Sequence, residues 1–380
     1  MVNVLKVGII GAGMMGTNHA EAIRRIPGIE IAALADGNET RAKKSAQELC
    51  IPHVYTSVVE MLSSEKLDAV HICTPNNTHY ALCKTVLEAG VNVFCEKPLA
   101  NTSEETSELV RLAAEKGLTA AVDFNYRQNV VVREMHERLC LPEWGRTFII
   151  RGAYIQDWMM YDTDYNWRCI PEMNGPSRTV ADIGSHWFDA VQYITGQRVQ
   201  KVFAKLITVH PQRKKYDVLA ETFGTQSGEN YTFVDIDSED AAQILFEMED
   251  GTPGMLMLSQ VSAGYKNGMV IHLDGEKGSL TWEQENPDKL WVRTREAGSL
   301  MTYAAQGAMH GEANSYTTLP AGHPVGWAEG IRNSIETFYN TIRGSEPNGY
   351  ASFADGDDIV RIVEACLRSN ASGKWENVRR

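Results

Sequence analysis

The sequence predicts an α/β protein with two domains, a doubly wound parallel sheet followed by a second α/β domain with a large, mostly antiparallel open sheet. From residue 1 to about 123, short apolar runs alternate with helical patterns, as in a parallel sheet with helices on both faces. After residue 123, long alternating runs follow one another without helices between them, which indicates antiparallel strands with one covered face. The 380 residues also exceed what a single core usually holds. We therefore expect domains at residues 1–123 and 124–380.

The first half repeats one unit, an apolar strand followed by an amphipathic helix. The predicted strands are residues 5–10, 29–36, 67–75, 91–98 and 118–125. The predicted helices are residues 15–26, residues 41–50, a segment ending at Glu88, and residues 103–116. Parallel neighbours need a crossover between them, and each of these helices supplies one.

The second half begins with a bridging helix at about residues 129–139 and then changes its period. The predicted strands are residues 146–155, 200–209, 241–248, 254–263 and 269–282. A helix is interposed at about 185–195, and two more close the chain near 327–343 and 355–369. We expect one open sheet with helices on its covered face.

The composition limits the classes of function. A net charge of −13 argues against a nucleic-acid groove or an anionic membrane surface, because both need clustered Lys and Arg. No apolar run approaches the ~20 residues of a spanning helix, and the chain enters a strand at once. We therefore expect a cytoplasmic protein with a small-molecule substrate.

The seven cysteines are an odd number and form no CxxC pair, which argues against a disulfide framework or a metal site in a chain of this size. We interpret them as reduced packing residues. Cys95 lies close to Lys97 in sequence, where an ammonium could lower a thiol pKa, yet a small buried residue is the simpler interpretation there too.

A dinucleotide site is predicted by GAGMMG, in which Gly11, Gly13 and Gly16 have G-x-G-x-x-G spacing between a strand and a helix. The glycines permit a tight turn and close backbone approach, and the helix N-terminus faces the pyrophosphate. The next strand ends at Asp36, where a carboxylate accepts ribose hydroxyls and repels a 2′-phosphate, so NAD is favoured over NADP. Arg41 is expected on the solvated face of the following helix. The other loop residues expected near the cofactor are Ala12, Met14 and Met15.

Two further strand ends are expected at the same crevice. The third strand ends in a polar loop, Thr74, Pro75, Asn76 and Asn77, where ligands sit in such sheets. His79 in the next helix is expected to be either a neighbour of the cofactor or a helix-face residue.

The stretch FCEKPLA brings Glu96 and Lys97 to the end of the following strand. A buried lysine is costly unless it is paired or used, so we expect a functional lysine in the crevice. Glu96 can pair with it or with the nearby backbone. A strand-end salt bridge is the structural alternative.

The chain resembles the Gfo/Idh/MocA oxidoreductases, the group named after glucose-fructose oxidoreductase and inositol dehydrogenase. The motifs that carry the resemblance are G-x-G-x-x-G at 11–16, TPNNTH at 74–79, EKP at 96–98, ADIGSHWFDAVQYITG at 181–196 and the closing FADGDDIVRIVEACLRSNASGKW. The resemblance implies a Rossmann domain, then an α/β domain whose open sheet often forms oligomer interfaces. It also implies sugar or polyol substrates and a catalytic set at Lys97, Asp182 and His186.

The chemistry of these three residue types agrees with alcohol oxidation. A base must take the hydroxyl proton while hydride leaves, and the imidazole of His186 titrates in the useful range. Asp182 lies four residues earlier, on the same face if the segment is helical, and can orient the ring or hold a hydroxyl. Lys97 would stabilise a developing alkoxide. Which group formally takes the proton stays open at this stage.

A polar and aromatic segment at 154–170 is expected to bind the substrate. Flat aromatic faces stack on pyranoses, and polar side chains pair with hydroxyls. Alternatively, these aromatics fill an interface. The candidates are Asp157, Trp158, Tyr165, Trp167 and Arg168 in this segment, and Tyr126 and Arg127 before it. Chains with a TDYNWR segment also look like dehydrogenases of glucosides, including those that oxidise the C3 hydroxyl.

Four functional interpretations follow from the resemblance, and one of them is hydrolysis of a glycoside that uses NAD transiently, which product analysis with a nitrophenyl glycoside would distinguish from the other three. The first is an NAD-dependent dehydrogenase that releases its cofactor in each cycle. The second retains NAD tightly and regenerates it with a second carbonyl substrate. The third is a non-catalytic dinucleotide-sensing regulator, against which the complete set of Lys97, Asp182 and His186 argues. In each case a homo-oligomer formed through the C-terminal sheet is expected.

Overall fold

The computed structural model describes residues 4–217, 230–320, 322–345 and 349–379. The chain divides into two compact units. The first contains Met1–Gln128 and Trp327–Val360, and the second contains Asn129–Gly326 and Arg361–Arg380. The first unit therefore combines the N-terminal segment with a later one, and the assignment of functions to residues 1–123 and 124–380 stays a prediction.

The first unit is built on the predicted parallel sheet. Its strands are β1 Leu5–Ile10, β2 Ile29–Ala35, β3 His53–Tyr55, β4 Ala69–Ile72, β5 Asn92–Cys95 and β6 Ala120–Val122. Their order is β3-β2-β1-β4-β5-β6, and every neighbouring pair is parallel. The order reverses between β1 and β4, which is the point at which such sheets bind ligands beyond the carboxyl ends of their strands.

Five helices alternate with these strands, and their ends follow local sequence signals. The helices are α1 Met14–Arg24, α2 Glu39–Glu48, α3 Val58–Ser64, α4 Asn76–Glu88 and α5 Ser103–Lys116. Helix α5 shows the signals clearly, because the Thr102 side chain accepts a hydrogen bond from the Glu105 backbone N–H and Gly117 ends the helix at φ +64°. The predicted bounds of this helix are confirmed.

The second unit contains the predicted open sheet. Its nine strands are β7 Thr147–Ile155, β8 Val199–Ile207, β11 Ala241–Met248, β12 Pro253–Ser259, β13 Gly268–Gly275, β14 Ser279–Glu283, β15 Lys289–Thr294, β16 Gly298–Tyr303 and β17 Glu376–Asn377. The order is β16-β15-β14-β13-β7-β12-β11-β8-β17. All neighbours are antiparallel except β7 and β12. A separate antiparallel pair is formed by β9 Gln212–Tyr216 and β10 Tyr231–Asp235.

Three helices belong to the second unit with this sheet, namely α6 Val130–Cys140, α7 Pro171–Asn174 and α8 Ser185–Thr195. The chain closes with two long helices, α9 Trp327–Ile342, which belongs to the first unit, and α10 Phe353–Ser372, whose residues fall in both units. Helix α8 packs closely on the sheet because Gly152 of β7 has no side chain. A Cβ added there would overlap the indole of Trp187, whose nitrogen donates to the Val270 carbonyl at 2.9 Å. Trp187 is fully buried.

Candidate functional site

The glycine turn after β1 has the shape that a dinucleotide phosphate needs. Gly11 has φ +104°, and a Cβ there would overlap the carbonyl oxygen of Cys73, while a Cβ on Gly16 would overlap the carbonyl oxygen of Gly11. Gly13 is exposed, and a Cβ on it would meet nothing within 4 Å. The turn is thus packed against the protein on one side and open on the other. The N-terminus of α1 has no side-chain cap, so its backbone N–H groups can receive the diphosphate of NAD.

The residues between these glycines differ in exposure. Ala12 is buried, Met15 is half-buried and Met14 is 54% exposed. The Ala12 backbone N–H donates to Oδ2 of Asp36 at 2.9 Å. The end of β2 is thereby tied to the glycine turn.

Asp36 is almost fully buried and accepts two hydrogen bonds from the Arg41 guanidinium. Arg41 donates from Nε to Oδ2 at 3.0 Å and from Nη2 to Oδ1 at 2.7 Å. Burial opposes ionisation of Asp36, but the hydrogen bonds from Arg41 and from the backbone of Ala12 and Asn38 outweigh it and lower the pKa. Arg41 is 55% exposed, as expected for a residue on the solvated helix face, and it also pairs with the Asp36 carboxylate.

The loop after β4 forms the start of helix α4. Pro75 is the residue before the helix, Asn76 begins it, and Asn77 is exposed. His79 is fully buried, with Nε2 at 2.8 Å from the Thr74 carbonyl and Nδ1 at 2.7 Å from the Pro98 carbonyl. The imidazole therefore ties the loop after β4 to the loop after β5.

Lys97 follows β5 and is half-buried, and Glu96 beside it is buried. Oε1 of Glu96 lies 3.1 Å from Nε2 of His19, and Oε2 accepts the Lys97 backbone N–H at 3.2 Å. Asp123 Oδ2 lies 3.4 Å from the same His19 nitrogen. Glu96 thus contacts the histidine of α1 and accepts a hydrogen bond from the nearby backbone, which is one of the two pairings expected for it. Its place in the cofactor site stays a prediction.

His19 also contacts a second buried histidine, His71. Nδ1 of His19 is 2.9 Å from Nδ1 of His71, and Nε2 of His71 is 2.6 Å from the Tyr339 hydroxyl. We call His19, His71, Glu96, Asp123 and Tyr339 the buried histidine network. All five side chains lie inside the first unit and are buried.

One protonation pattern satisfies the buried histidine network. Burial opposes the charged form of His19, but Cys73 and the carboxylates of Asp123 and Glu96 raise its pKa well above the ordinary value. Burial and the charge of His19 lower the pKa of His71 well below its ordinary value. His19 as an imidazolium then donates to Glu96 or Asp123 and to neutral His71, which donates to Tyr339. A metal ion would need the same His19 nitrogen without its proton, so hydrogen bonding accounts for this His-Glu-Asp cluster.

Asp182 and His186 lie where the chain enters helix α8. Residues Val180–Gly184 form a π-helical turn, which leads into Ser185–Thr195. Asp182 accepts a hydrogen bond from Gln260 Nε2 at 2.9 Å, and Arg168 Nε lies 3.8 Å from its other oxygen. Both Asp182 and His186 are half-buried. The segment is helical as assumed, with Asp182 in the π turn and His186 in the first turn of α8.

The polar and aromatic segment gathers around Arg168. Its guanidinium carbon lies 4.5 Å from the centre of the Trp167 ring and 5.5 Å from that of Trp158. Trp158 donates from its indole to the Gln156 side chain at 2.7 Å. These half-buried aromatic faces beside a cation and the Asp182 carboxylate have the character of a sugar-binding surface.

Other members of the segment have structural surroundings. Tyr165 is only 4% exposed and packs with Met159, Cys169 and Ile236, so this aromatic fills an interior cluster of the chain. The Asp157 carboxylate accepts from Lys266 Nζ at 2.7 Å and from the Gly264 backbone at 3.0 Å. It is therefore tied to the loop between β12 and β13.

Tyr126 and Arg127 belong to the first unit, in a 3-10 turn at Asn125–Gln128. Both are nearly buried. Nη1 of Arg127 lies 3.4 Å from the Tyr350 carbonyl oxygen and 3.5 Å from the Asp355 carboxylate. This guanidinium links the turn to the start of helix α10 and to the residues just before it.

The predicted residues are thus distributed over both units. The glycine turn, Asp36, Thr74–His79 and Lys97 belong to the first, and Asp182, His186 and Arg168 belong to the second. Sequence reasoning missed the residues behind them. Those residues are His19, His71, Asp123, Arg178, Asp240 and Gln260. A buried His in α1 and a Gln directly after an apolar strand carried no motif that would have singled them out.

The remaining expectations concern cysteines and membranes. The seven cysteines are free, and five of them are buried. Burial, together with Cys83 and Glu96, raises the pKa of Cys95 well above its ordinary value, so this thiol is an inert packing residue. No helix in the part of the chain that the structure describes is long and apolar enough to cross a membrane.

Comparison with known proteins identifies relatives over the whole chain. A levoglucosan dehydrogenase from Pseudarthrobacter phenanthrenivorans is 27% identical over 389 residues, covering 98% of each chain. A D-glucoside 3-dehydrogenase from Escherichia coli K12 is 29% identical over 198 residues, covering 50% of this chain and 54% of that protein. A solved levoglucosan dehydrogenase in complex with NADH and levoglucosan superposes with a TM-score of 0.89 at 25% identity and full coverage of both chains.

Family models match both halves. The model described as an oxidoreductase family with an NAD-binding Rossmann fold matches residues 5–124, and the GFO/IDH/MocA C-terminal domain matches residues 132–281. The first match spans the glycine turn, Asp36 and Lys97, and the second spans the π turn with Asp182 and His186. The chain therefore belongs to the GFO/IDH/MocA family of oxidoreductases, with NAD as the cofactor of its Rossmann fold.

Proposed function

We propose that this protein oxidises a secondary hydroxyl of a sugar, glycoside or polyol, including the C3 hydroxyl of a pyranose, with NAD as hydride acceptor. One observation carries the proposal. The glycine turn, the Thr74 loop and Lys97 follow β1, β4 and β5, which are neighbours in the parallel sheet. Ligands bind beyond the carboxyl ends of such strands, so Lys97 is delivered to the crevice in which the cofactor lies.

We assign the proton chemistry to three side chains. His186 removes the hydroxyl proton, because an imidazole titrates near the working pH. Asp182 holds the substrate hydroxyl or orients that imidazole. Lys97 stabilises the negative charge that develops on the substrate oxygen. When bound, NAD supplies the hydride acceptor.

The substrate class is supported by the arrangement of Trp158, Trp167 and Arg168 and by the relatives. Trp158 and Trp167 flank the guanidinium of Arg168, and such faces stack on pyranose rings while the guanidinium donates to hydroxyls. The relatives named above include a levoglucosan dehydrogenase and a D-glucoside 3-dehydrogenase. A pyranose or pyranoside is therefore the first substrate to test.

The experiment is a substrate screen with added NAD in which NADH absorbance is followed. The panel contains levoglucosan, alkyl glucosides, free hexoses and inositols. Lys97→Ala and His186→Ala should each reduce kcat by about 10²–10⁴-fold and leave NADH binding, measured by fluorescence, largely intact. Lys44→Ala and His53→Ala are matched controls, because Lys44 is 75% exposed and His53 is 56% exposed. Full activity in both test variants would refute the proposed catalytic set.

Cofactor retention is decided by a separate measurement. The dialysed protein is denatured and the released nucleotide is quantified by chromatography. Release of about one nucleotide per chain would favour the reading in which bound NAD is recycled by a second carbonyl substrate. In that case the assay must supply paired donors and acceptors, because added NAD alone would give no steady turnover.

We further propose that two copies of this chain pair through the exposed face of the nine-stranded sheet. We also propose that the protein works in the cytoplasm. Leu245, Met255 and Met257 are exposed on neighbouring strands β11 and β12, and an apolar sheet face of this kind marks an interaction site. Free thiols at Cys50 and Cys140 suit a reducing compartment. Met255→Asp should lower the molar mass measured by light scattering. An unchanged mass above that of the monomer would refute this choice of face.

A further inference from the structure

Behind Asp182 lies Gln260, a side chain with 0% exposure that directly follows strand β12. Its Nε2 donates to Oδ2 of Asp182 at 2.9 Å. Its Oε1 accepts from Arg178 Nη1 at 3.2 Å and from Thr179 Oγ1 at 3.3 Å. Gln260 therefore holds the segment before His186 at several points.

The orientation of this amide follows from its partners. A guanidinium only donates hydrogen bonds, so the amide oxygen of Gln260 must face Arg178. The amide nitrogen then faces Asp182, and because an amide nitrogen only donates, Oδ2 of Asp182 must accept. This arrangement favours the ionised carboxylate of Asp182.

Arg178 is itself fixed by a buried group of charges. Arg178 and Arg213 both pair with the carboxylate of Asp240, Arg213 at 2.6 Å, and all three side chains have 0% exposure. Breaking such a buried pair by removing one partner is strongly destabilising. The Asp240 carboxylate thus holds Arg178 in place, and Nη1 of Arg178 in turn holds the amide oxygen of Gln260.

The same group of charges also holds the substrate segment. Nη1 of Arg213 donates to the carbonyls of Tyr161 at 2.6 Å and Asp164 at 3.0 Å, and Nη2 donates to the Met159 carbonyl at 3.1 Å. Asp240 is thus the common anchor of the segment that carries Trp158 and Trp167 and of the chain that leads to Asp182.

We infer that Gln260 is a positioning residue, fixed by the Arg178–Asp240–Arg213 group, that holds the Asp182 carboxylate as a hydrogen-bond acceptor for the substrate. The inference rests on the proposed function, because it presumes that Asp182 acts in the reaction. The charged and titratable neighbours of Asp182 are Arg168 at 3.8 Å, Arg178 behind Gln260, and His186 four residues later. Arg168 and Arg178 favour the ionised form of Asp182, and so does the amide N–H of Gln260.

Gln260→Glu tests the inference with little change of shape. The new carboxylate still accepts from Arg178 and Thr179, but it turns an oxygen instead of an N–H toward Asp182. We expect kcat to fall about 10²-fold through misplacement of Asp182, while the affinity for NADH changes less than about twofold. Below neutral pH the two facing carboxyls share a proton, so the activity relative to wild type should recover on acidification. Loss of packing alone would give no such recovery.

Two controls separate this role from a general effect. Gln200→Glu adds the same charge at an exposed position of strand β8 and should leave kcat unchanged. The double variant Gln260→Glu with Asp182→Asn restores a donor opposite the new acceptor. The urea midpoint of the double variant should recover at least half of the decrease that Gln260→Glu alone causes.

The outcomes are distinguishable from failure of the proposed function. Wild-type kcat in Gln260→Glu, or a double variant no more stable than the single one, overturns the role of Gln260. If the wild type oxidises no member of the substrate panel, the proposed function fails instead. The stability comparison still decides the Gln260–Asp182 contact in that case, because it does not depend on turnover.

Discussion

Replacing His19 by leucine tests the buried histidine network of the first unit. His19 has no exposed side-chain surface, and its partners Glu96 and Asp123 are 10% and 2% exposed. Removing the imidazolium leaves two buried carboxyl groups without their cation. Removal of one partner of a buried pair costs about 3–5 kcal/mol, which corresponds to a fall of about 1–3 M in the urea midpoint at a slope of about 2–3 kcal/mol per M.

A matched pair on the surface supplies the control. His53 and Glu65 form the same kind of contact at 2.5 Å, but the His53 side chain is 56% exposed. Exposed ion pairs contribute about 0–1 kcal/mol, so His53→Leu should hardly move the midpoint. Unfolding is followed by tryptophan fluorescence for both variants and the wild type. Equal midpoints for the two variants would refute the assignment of a buried imidazolium.

The dependence on pH has a definite sign. Because the pKa of folded His19 is raised, its stabilising effect is fully present below the unfolded pKa of about 6.5 and is lost as pH rises through the folded pKa. The stability difference between wild type and His19→Leu should therefore be large near neutral pH and shrink in alkaline solution. A difference that grows with pH would contradict the imidazolium.

Three further predictions concern the ligand sites. Gly13→Ala should weaken NADH binding without changing the urea midpoint, because the added Cβ would meet no protein atom within 4 Å. Gly16→Ala should lower both the NADH affinity and the urea midpoint. If the two variants behaved alike, this prediction would be wrong. Asp36→Ala should reduce the preference for NAD over NADP in kcat/KM, because a carboxylate there repels the 2′-phosphate; an unchanged ratio would mean that another residue reads the ribose. Arg168→Met should raise the sugar KM by about tenfold or more through loss of a charged hydrogen bond, with NADH affinity as the control and an unaltered KM as the contrary result.

The elements that the sequence predicted well are those with strong local signals. Helix α5 has a threonine cap, acidic residues in its first turn and a terminal glycine, and its bounds were predicted correctly. The glycine turn, the strand before it and the helix after it are specified by a motif whose geometry has few alternatives. Alternation of apolar residues was sufficient for the long strands of the second sheet.

Elements with weak local signals were missed. Strand β3 has three residues and helix α3 seven, which is too short for a period to stand out. The π turn before α8 is a single turn within a helical segment, and no local sequence pattern marked it. Strands β15 and β16 had no prediction either, although they continue the sheet as an antiparallel meander.

Contacts between distant segments could not be derived from one sequence. Gln260 meets Asp182 across 78 positions, and His19 meets Glu96 across 77. The catalytic candidates were identified by motif, but the groups that hold them are set by tertiary packing, for which a single chain contains no local signal. Arg41 illustrates the same limit at short range, since its pairing with Asp36 depends on how the turn between β2 and α2 folds.

The discontinuous first unit has a consequence for biosynthesis. Its apolar core joins Val7 and Ile9 to Ile331, Ile335 and Phe338 of helix α9, so the N-terminal segment cannot complete its interior until the ribosome has also made Asn129–Gly326 of the second unit and α9 itself. This chain therefore cannot follow the usual order, in which the N-terminal domain folds first during synthesis. A fragment that ends at Gln128 should expose the surface meant for α9 and aggregate.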